Sequence, residues 1–314
     1  MSNIKISLRN YSKDKETYKK YRKQLIEILK RSSENFKMDI RVLVKISDFS
    51  EGYTLDGRTS ATKIAYVIMK KDYATLTISS NVFEIIEKNK ILDLEILFCH
   101  EFAHIFDLSF IGYFPYFKNC SVDELNINTK RNYNIKTGIH FWSEFFAYYI
   151  TYRRYRRYYN FYTNPCELEF IYLAAGAKLY EAKQEKKLKK QNAFIDEMFE
   201  AIGIFVYNFA LYIASLYVGD RRRIRNKGKI YTEKSMGIVM QILSDLEEYI
   251  HTLIETRHNK KFVKNLEKLG HYINYKIYNR FGCKIRKDNG NYIMAFNMKQ
   301  LKKVAESNSI LHRK

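Results

Sequence analysis

The residues best suited to chemistry stand together at Cys99-His100-Glu101-Phe102-Ala103-His104. Their spacing is H-E-x-x-H, inside an apolar run from Ile91 to Leu108 that no Pro or Gly interrupts. In a helix, residues four apart share a face, so His100 and His104 point the same way, one turn apart. Two imidazoles so placed can hold one divalent ion, with Glu101 beside them to take a proton from a metal-bound water. That combination is what metal-assisted hydrolysis requires. The alternative is a pair of His satisfied by hydrogen bonds on a half-buried helix. Two His and a Glu in an apolar helix are costly unless something pairs them, which favours the metal.

A catalytic zinc usually takes three protein ligands and a water. Glu144 is the best candidate for the third. It lies in Trp142-Ser143-Glu144-Phe145-Phe146-Ala147-Tyr148-Tyr149, an aromatic stretch with no other carboxylate. A carboxylate on such a face needs a partner. The metal is one; an Arg or a Tyr hydroxyl is another. His140, four residues before Glu144, is the rival ligand, or a donor to the oxyanion that develops during hydrolysis. Asp107, three residues after His104, either orients a ligand imidazole through its outer nitrogen or is a solvated acid near a helix end.

The pairing of His100-Glu101-Phe102-Ala103-His104 with Glu144-Phe145-Phe146-Ala147, forty residues on, resembles the gluzincin metallopeptidases. The Glu helix looks most like that of the anthrax lethal factor-like peptidases. A weaker similarity exists to the ImmA/IrrE-type metallopeptidases. The resemblance runs from Tyr73 to Tyr152, about a quarter of the chain. It implies a Zn2+-dependent endopeptidase with His100, His104 and Glu144 as ligands and Glu101 as general base. Lethal factor-like enzymes also carry an oxyanion-stabilising Tyr two turns before the ligand Glu. Thr137 stands at that position here, with Tyr133, Tyr148 and Tyr149 nearby.

These groups need elements to hold them. Residues 15–36 read as a basic amphipathic helix whose apolar side is Tyr18, Tyr21, Leu25, Ile26, Ile28 and Leu29. Ile40, Val42, Val44 and Ile46 alternate with polar residues, as in a strand over Lys37–Asp48. A loop over Glu51–Thr62 and strands at Ile64–Met69 and Tyr73–Ser79 follow, the last with Leu76 and Ile78 inward and Thr75, Thr77 and Ser79 facing the other way. A short helix ending near Lys88 leads into the H-E-x-x-H helix. An edge strand beside a metal can bind an extended peptide by strand addition, but the sequence does not say which strand is the edge. Phe110–Gly138 shows no period and reads as a long loop. From Ile139 the chain turns helical: Phe141–Arg157, Cys166–Lys187, Asn192–Val218, Lys234–Arg257 and Phe262–Phe281, then a turn at Asn289-Gly290-Asn291 and a last helix at Met298–Ser307.

The chain's 314 residues are 46% hydrophobic and include only 2 Pro and 12 Gly, which favours helices joined by short turns over a sandwich or barrel. The expected class is α+β: a zincin-like small mixed sheet with its active-site helix over 1–160, then a helical domain or extension over 161–314. Cys99, Cys120, Cys166 and Cys283 form no C-x-x-C pair, and Met1–Lys20 holds no apolar signal region. Both features suit reduced thiols in a cytoplasm.

A net charge of +21 suits nucleic acid, an acidic membrane surface or an acidic substrate. In Tyr152-Arg153-Arg154-Tyr155-Arg156-Arg157-Tyr158-Tyr159 the interleaved rings and guanidinium groups suit base stacking and phosphate contact, or else a helix end whose Tyr pack and whose Arg meet the helix dipole. Arg221-Arg222-Arg223-Ile224-Arg225 reads as a solvated loop. Ala201–Val218 is barely long enough to span a membrane; Asn208 and several Tyr favour a core helix. The expected function is therefore a cytoplasmic zinc endopeptidase acting on a protein or peptide. The alternative is a nucleic-acid-associated regulator with a non-catalytic metal site.

Overall fold

The computed structural model describes residues 3–48, 65–118, 120–158, 168–169, 171–172, 174, 191–219, 233–288 and 291–296. Outside them lie the loop expected over Glu51–Thr62, the Arg221–Arg225 run, Cys166 and the helix expected over Met298–Ser307. The chain divides into two compact units, Met1–Leu125 with Arg153–Arg156, and Asn126–Tyr152 with Arg157–Lys314. The class is α+β: a small mixed sheet together with a mostly helical body.

In the first unit β1 (Asn3–Asn10), β2 (Asp39–Ser47), β3 (Ala65–Met69) and β4 (Tyr73–Ser79) form one sheet in the order β1-β2-β4-β3. β1, β2 and β4 run parallel, and β3 returns antiparallel to β4 as an edge. The alternation of β2 does what its period predicts, with Val42, Val44 and Ile46 fully buried. β4 does not. Thr75, Thr77 and Ser79 are buried along with Leu76 and Ile78, because β4 is an interior strand covered on both faces.

α1 (Lys15–Ser33) starts at Asp14, whose side chain accepts from the Thr17 N–H at 2.9 Å. Hydrogen bonding from Thr17, through its side chain first and then its N–H, draws the Asp14 carboxyl below its ordinary pKa against a smaller desolvation cost. Leu25, Ile28 and Leu29 bury one side of α1. α2 (Val82–Glu87) precedes α3 (Ile91–Gly112), which packs on α1, α2 and β3. Arg31 of α1 reaches Glu95 of α3 at 2.8 Å, and Phe36 meets the rings of Phe102 and Phe106.

The C-terminus of α1 is closed by Arg154, which donates to Ser32 O at 2.9 Å and Arg31 O at 2.8 Å. Carbonyls of a last turn have no partner within their own helix, so one planar guanidinium serves two of them. Charged hydrogen bonds contribute roughly 1.5–3 kcal/mol. Arg154→Ala is expected to lower unfolding stability by about 2 kcal/mol. Arg154→Lys should recover less than half, since a point charge lacks the fork. Denaturant midpoints of the three proteins check this.

The second unit is built on α4 (Lys130–Arg154), all but whose last two residues belong to it, α5 (Gln191–Val218), α6 (Glu233–Thr256) and α7 (Lys261–Tyr272). α7 runs on through a π-helical segment, Ile273–Ile277, into α8 (Tyr278–Arg280). β5 (Cys283–Asp288) and β6 (Asn291–Phe296) then pair antiparallel on either side of Asn289-Gly290. Part of the helix expected over Cys166–Lys187 is described, at 168–169, 171–172 and 174, and those residues are helical.

α4 begins eleven residues before the helix expected over Phe141–Arg157. Thr129 starts it, its hydroxyl accepting from Asn132 N–H at 3.1 Å, and the Asn-rich first turns pack rather than fray. Asn274 of the π segment donates to Asn134 at 3.0 Å and to Thr137 at 3.1 Å. α4 and α7 touch through backbone at Gly138 and Gly270: a Cβ on Gly138 would stand 2.0 Å from Leu266 O, and one on Gly270 1.7 Å from Asn134 O. Beyond that crossing Trp142 meets Phe262 edge-on, and the Arg257 guanidinium lies 4.1 Å from the Phe146 ring centre. α5 is a core helix, burying Ile202, Phe205, Phe209 and Ile213; among the described residues no helix is long and apolar enough to cross a membrane.

Candidate metal centre

α3 forms because nothing in Ile91–Leu108 opposes it: no Pro, no Gly and no run of β-branched residues. Its apolar positions Leu94, Phe98, Phe102 and Ile105 recur every three or four residues and are fully buried, which fixes the helix in rotation. That rotation brings His100 and His104 onto a half-buried strip. Their rings are nearly perpendicular, with centroids 4.7 Å apart, and their Nε2 atoms approach to 3.0 Å. At that distance the two rings share a hydrogen bond, and two nitrogens bound to one tetrahedral zinc at 2.0–2.1 Å lie about 3.3 Å apart, so a shift of about 0.3 Å spaces the pair for a shared ion. Glu101, next along the helix, is buried at 7% exposure.

Glu144 sits on α4 between the buried Ser143 and the buried Phe145 and Phe146, itself half-buried. One ligand atom from each of His100, His104 and Glu144 lies within 4.8 Å of the others, close enough together for one ion. Two imidazole nitrogens and a carboxylate oxygen are a donor set that suits zinc, and three protein ligands leave a tetrahedral ion one position for water.

The other candidates fall out differently. His140 lies half-buried one turn before Glu144 and is not part of the ligand group. Asp107 is 0% exposed, which removes the solvated-acid alternative. Thr137, where the resemblance implies a Tyr, is engaged with Tyr133 O and with Asn274. Burial, then the Tyr275 charge, pushes the Tyr133 phenol up to about 12, which keeps it a neutral donor. Tyr149 stacks on Phe145, and Tyr148 packs against Tyr152.

Comparison with known proteins finds no matching family model, no matching curated protein and no matching solved structure.

Two observations bear on the remaining sequence features. In the Tyr152–Tyr158 run, Tyr152 and Tyr155 are buried and Arg154 closes α1, so Arg153, Arg156, Arg157 and Tyr158 are the exposed members. Two of the rings needed for base stacking are thus unavailable. Residues given no role by the sequence, among them Lys70, Lys71 and Lys118, line a cavity of about 700 Å³ in the first unit. The signal for it was the short Lys70-Lys71-Asp72 turn between two apolar strands. A turn of that kind reads as solvated until the helix behind it is placed.

Proposed function

We propose that this chain is a zinc-dependent endopeptidase. The observation that carries the reading is the convergence of one donor atom each from His100, His104 and Glu144 within 4.8 Å. When bound, the ion supplies a water of lowered pKa and polarises the substrate carbonyl. Glu101 accepts the proton of that water and delivers it to the leaving amine. Its burial beside apolar neighbours keeps bulk water from competing for the proton. A donor from α4, His140 one turn before Glu144 or a Tyr of the same helix, would stabilise the developing oxyanion.

The sheet supplies a place for the peptide. β3 is an edge strand that packs on α3. At Met69 the outward backbone groups are taken by side chains: Asp123 accepts from the N–H at 2.6 Å, and Ser121 donates to the carbonyl at 3.0 Å. Val67, two residues earlier, turns its backbone the same way, and an extended substrate pairs there by strand addition.

Metal analysis beside a peptide-library cleavage assay tests the reading. The parent is expected to hold one zinc per chain and to cut. Glu144→Ala should weaken zinc by more than the roughly 10–100-fold that loss of an outer partner costs. Unchanged zinc affinity in Glu144→Ala, or no cleavage of any library member by the zinc-loaded parent, would overturn it.

A further inference from the structure

Leu108 follows His104 by one turn on the same face of α3, and it lines the 700 Å³ cavity of the first unit. Cavities of roughly 300–1,000 Å³ are of the size that receives a ligand group. The walls here are apolar: Met38 and Ile40 from β2 and the residue before it, Met69 at the end of β3, Phe106 and Phe110 from α3, and Val122. The mouth is basic, with Lys37, Lys70, Lys71 and Lys118 against Asp39 and Asp72. Lys70 pairs with Glu124 at 3.5 Å. Lys37, Lys71 and Lys118 are exposed and meet no acid among the described residues. An apolar-walled pocket whose rim sets Lys37, Lys71 and Lys118 against Asp39 and Asp72 keeps a net positive edge, which favours an apolar group carried between anions, and the net charge of +21 attracts the same kind of partner from a distance.

We propose that this cavity receives a large apolar side chain of an acidic peptide segment, the part of the substrate flanking the bond that is cut. The inference rests on the endopeptidase reading for its link to cleavage, but not for the binding itself. A Leu- or Phe-sized side chain enters the cavity against its apolar wall, while neighbouring Asp or Glu residues meet Lys37, Lys71 and Lys118. The β3 edge ends at Met69, on the cavity wall, so a strand-paired peptide leads its side chains toward this opening.

The test uses the full chain as the zinc-loaded Glu101→Gln protein and fluorescein-labelled peptides of one frame. One peptide carries a central Leu between Glu residues, one the same Leu between Lys residues, and one a central Ala between Glu residues. Fluorescence anisotropy is expected to rank the Glu-Leu peptide about tenfold tighter than either control. Lys71→Glu/Lys118→Glu should erase the preference for Glu over Lys flanks, and added salt should weaken it. Cys120 lines the cavity, whereas Cys99 and Cys283 are buried, so the Glu-Leu peptide should also slow maleimide labelling of Cys120 in a Cys166→Ser background. Equal affinities for the three peptides, or an unaltered ranking in the double variant, overturns the proposal. If the parent cuts all three peptides at one rate, the pocket assignment fails while the hydrolase reading stands. If binding ranks as expected and no peptide is cut, the pocket stands and the hydrolase reading fails.

Discussion

Glu101→Gln is expected to keep its zinc and lose its turnover. The amide is the size of the carboxylate and leaves His100 and His104 untouched, but it has no lone pair basic enough to take the proton of a metal-bound water. General-base catalysis contributes about 10²–10⁴-fold, and the cleavage rate should fall by at least that much. His104→Ala should fail differently, losing metal and rate together, because a two-ligand remnant does not hold zinc against solvent. Stability should move little, because Glu101 is buried at 7% exposure and the amide keeps its size and shape. Glu101→Gln is therefore expected to melt close to the parent temperature, which separates a chemical loss from a folding loss. Steady-state cleavage rates, zinc content and melting curves on the same preparations make the comparison. A Glu101→Gln protein that cuts as fast as the parent would remove the proposed mechanism outright.

Much of this site was legible in the sequence because its signals are local. The H-E-x-x-H spacing specifies one helix face without reference to anything else in the chain. The apolar run around it specifies burial, and the isolated acid at Glu144 stands out among aromatics for the same reason. β2 and β4 were legible from period-2 alternation and β3 as a short apolar run. What escaped the sequence depended on partners remote along the chain. β1 alternates at Ile4, Ile6 and Leu8, but its polar residues face solvent at a sheet edge, and so short a signal carries little weight before β2 is known to pair with it. The first turns of α4 read as loop because Asn is a poor helix former; they are helical because Asn134 finds Asn274, 140 residues away. Alternation puts Thr75, Thr77 and Ser79 on the face opposite Leu76 and Ile78 but cannot distinguish a half-covered strand from one covered on both sides, so their burial was not legible. The role of Arg154 was invisible for a related reason: its charge suggested its own helix terminus or a phosphate, whereas its partners are the last carbonyls of α1.

The largest stability effect is expected at Gly138 and Gly270. For an ordinary helix interior the sign would be the reverse, since Gly→Ala stabilises a helix by about 1 kcal/mol. Here the added Cβ meets backbone, not a side chain that can swing away. On Gly270 it would lie 1.7 Å from Asn134 O and 2.8 Å from Gly138 N, and on Gly138 2.0 Å from Leu266 O. Relief requires α4 and α7 to separate, and separation pulls Asn274 from Asn134 and Thr137, whose hydrogen bonds are 3.0 and 3.1 Å. Overpacking costs about 1–3 kcal/mol and a buried polar group left unpaired about 1–3 more, so the clash outweighs the propensity gain. Either substitution should lower unfolding stability by roughly 2–4 kcal/mol, with a fall in melting temperature of the order of 5–10 °C. Gly237→Ala in α6 is the internal control. No atom lies within 4 Å of its Cβ position, so propensity acts alone and the melting temperature should rise. Opposite signs for Gly270 and Gly237 would establish that α4 and α7 touch backbone to backbone. A Gly270→Ala protein as stable as the Gly237→Ala protein would mean that the two helices stand at ordinary side-chain distance, and that the Asn134–Asn274 pair needs some other reason to be buried.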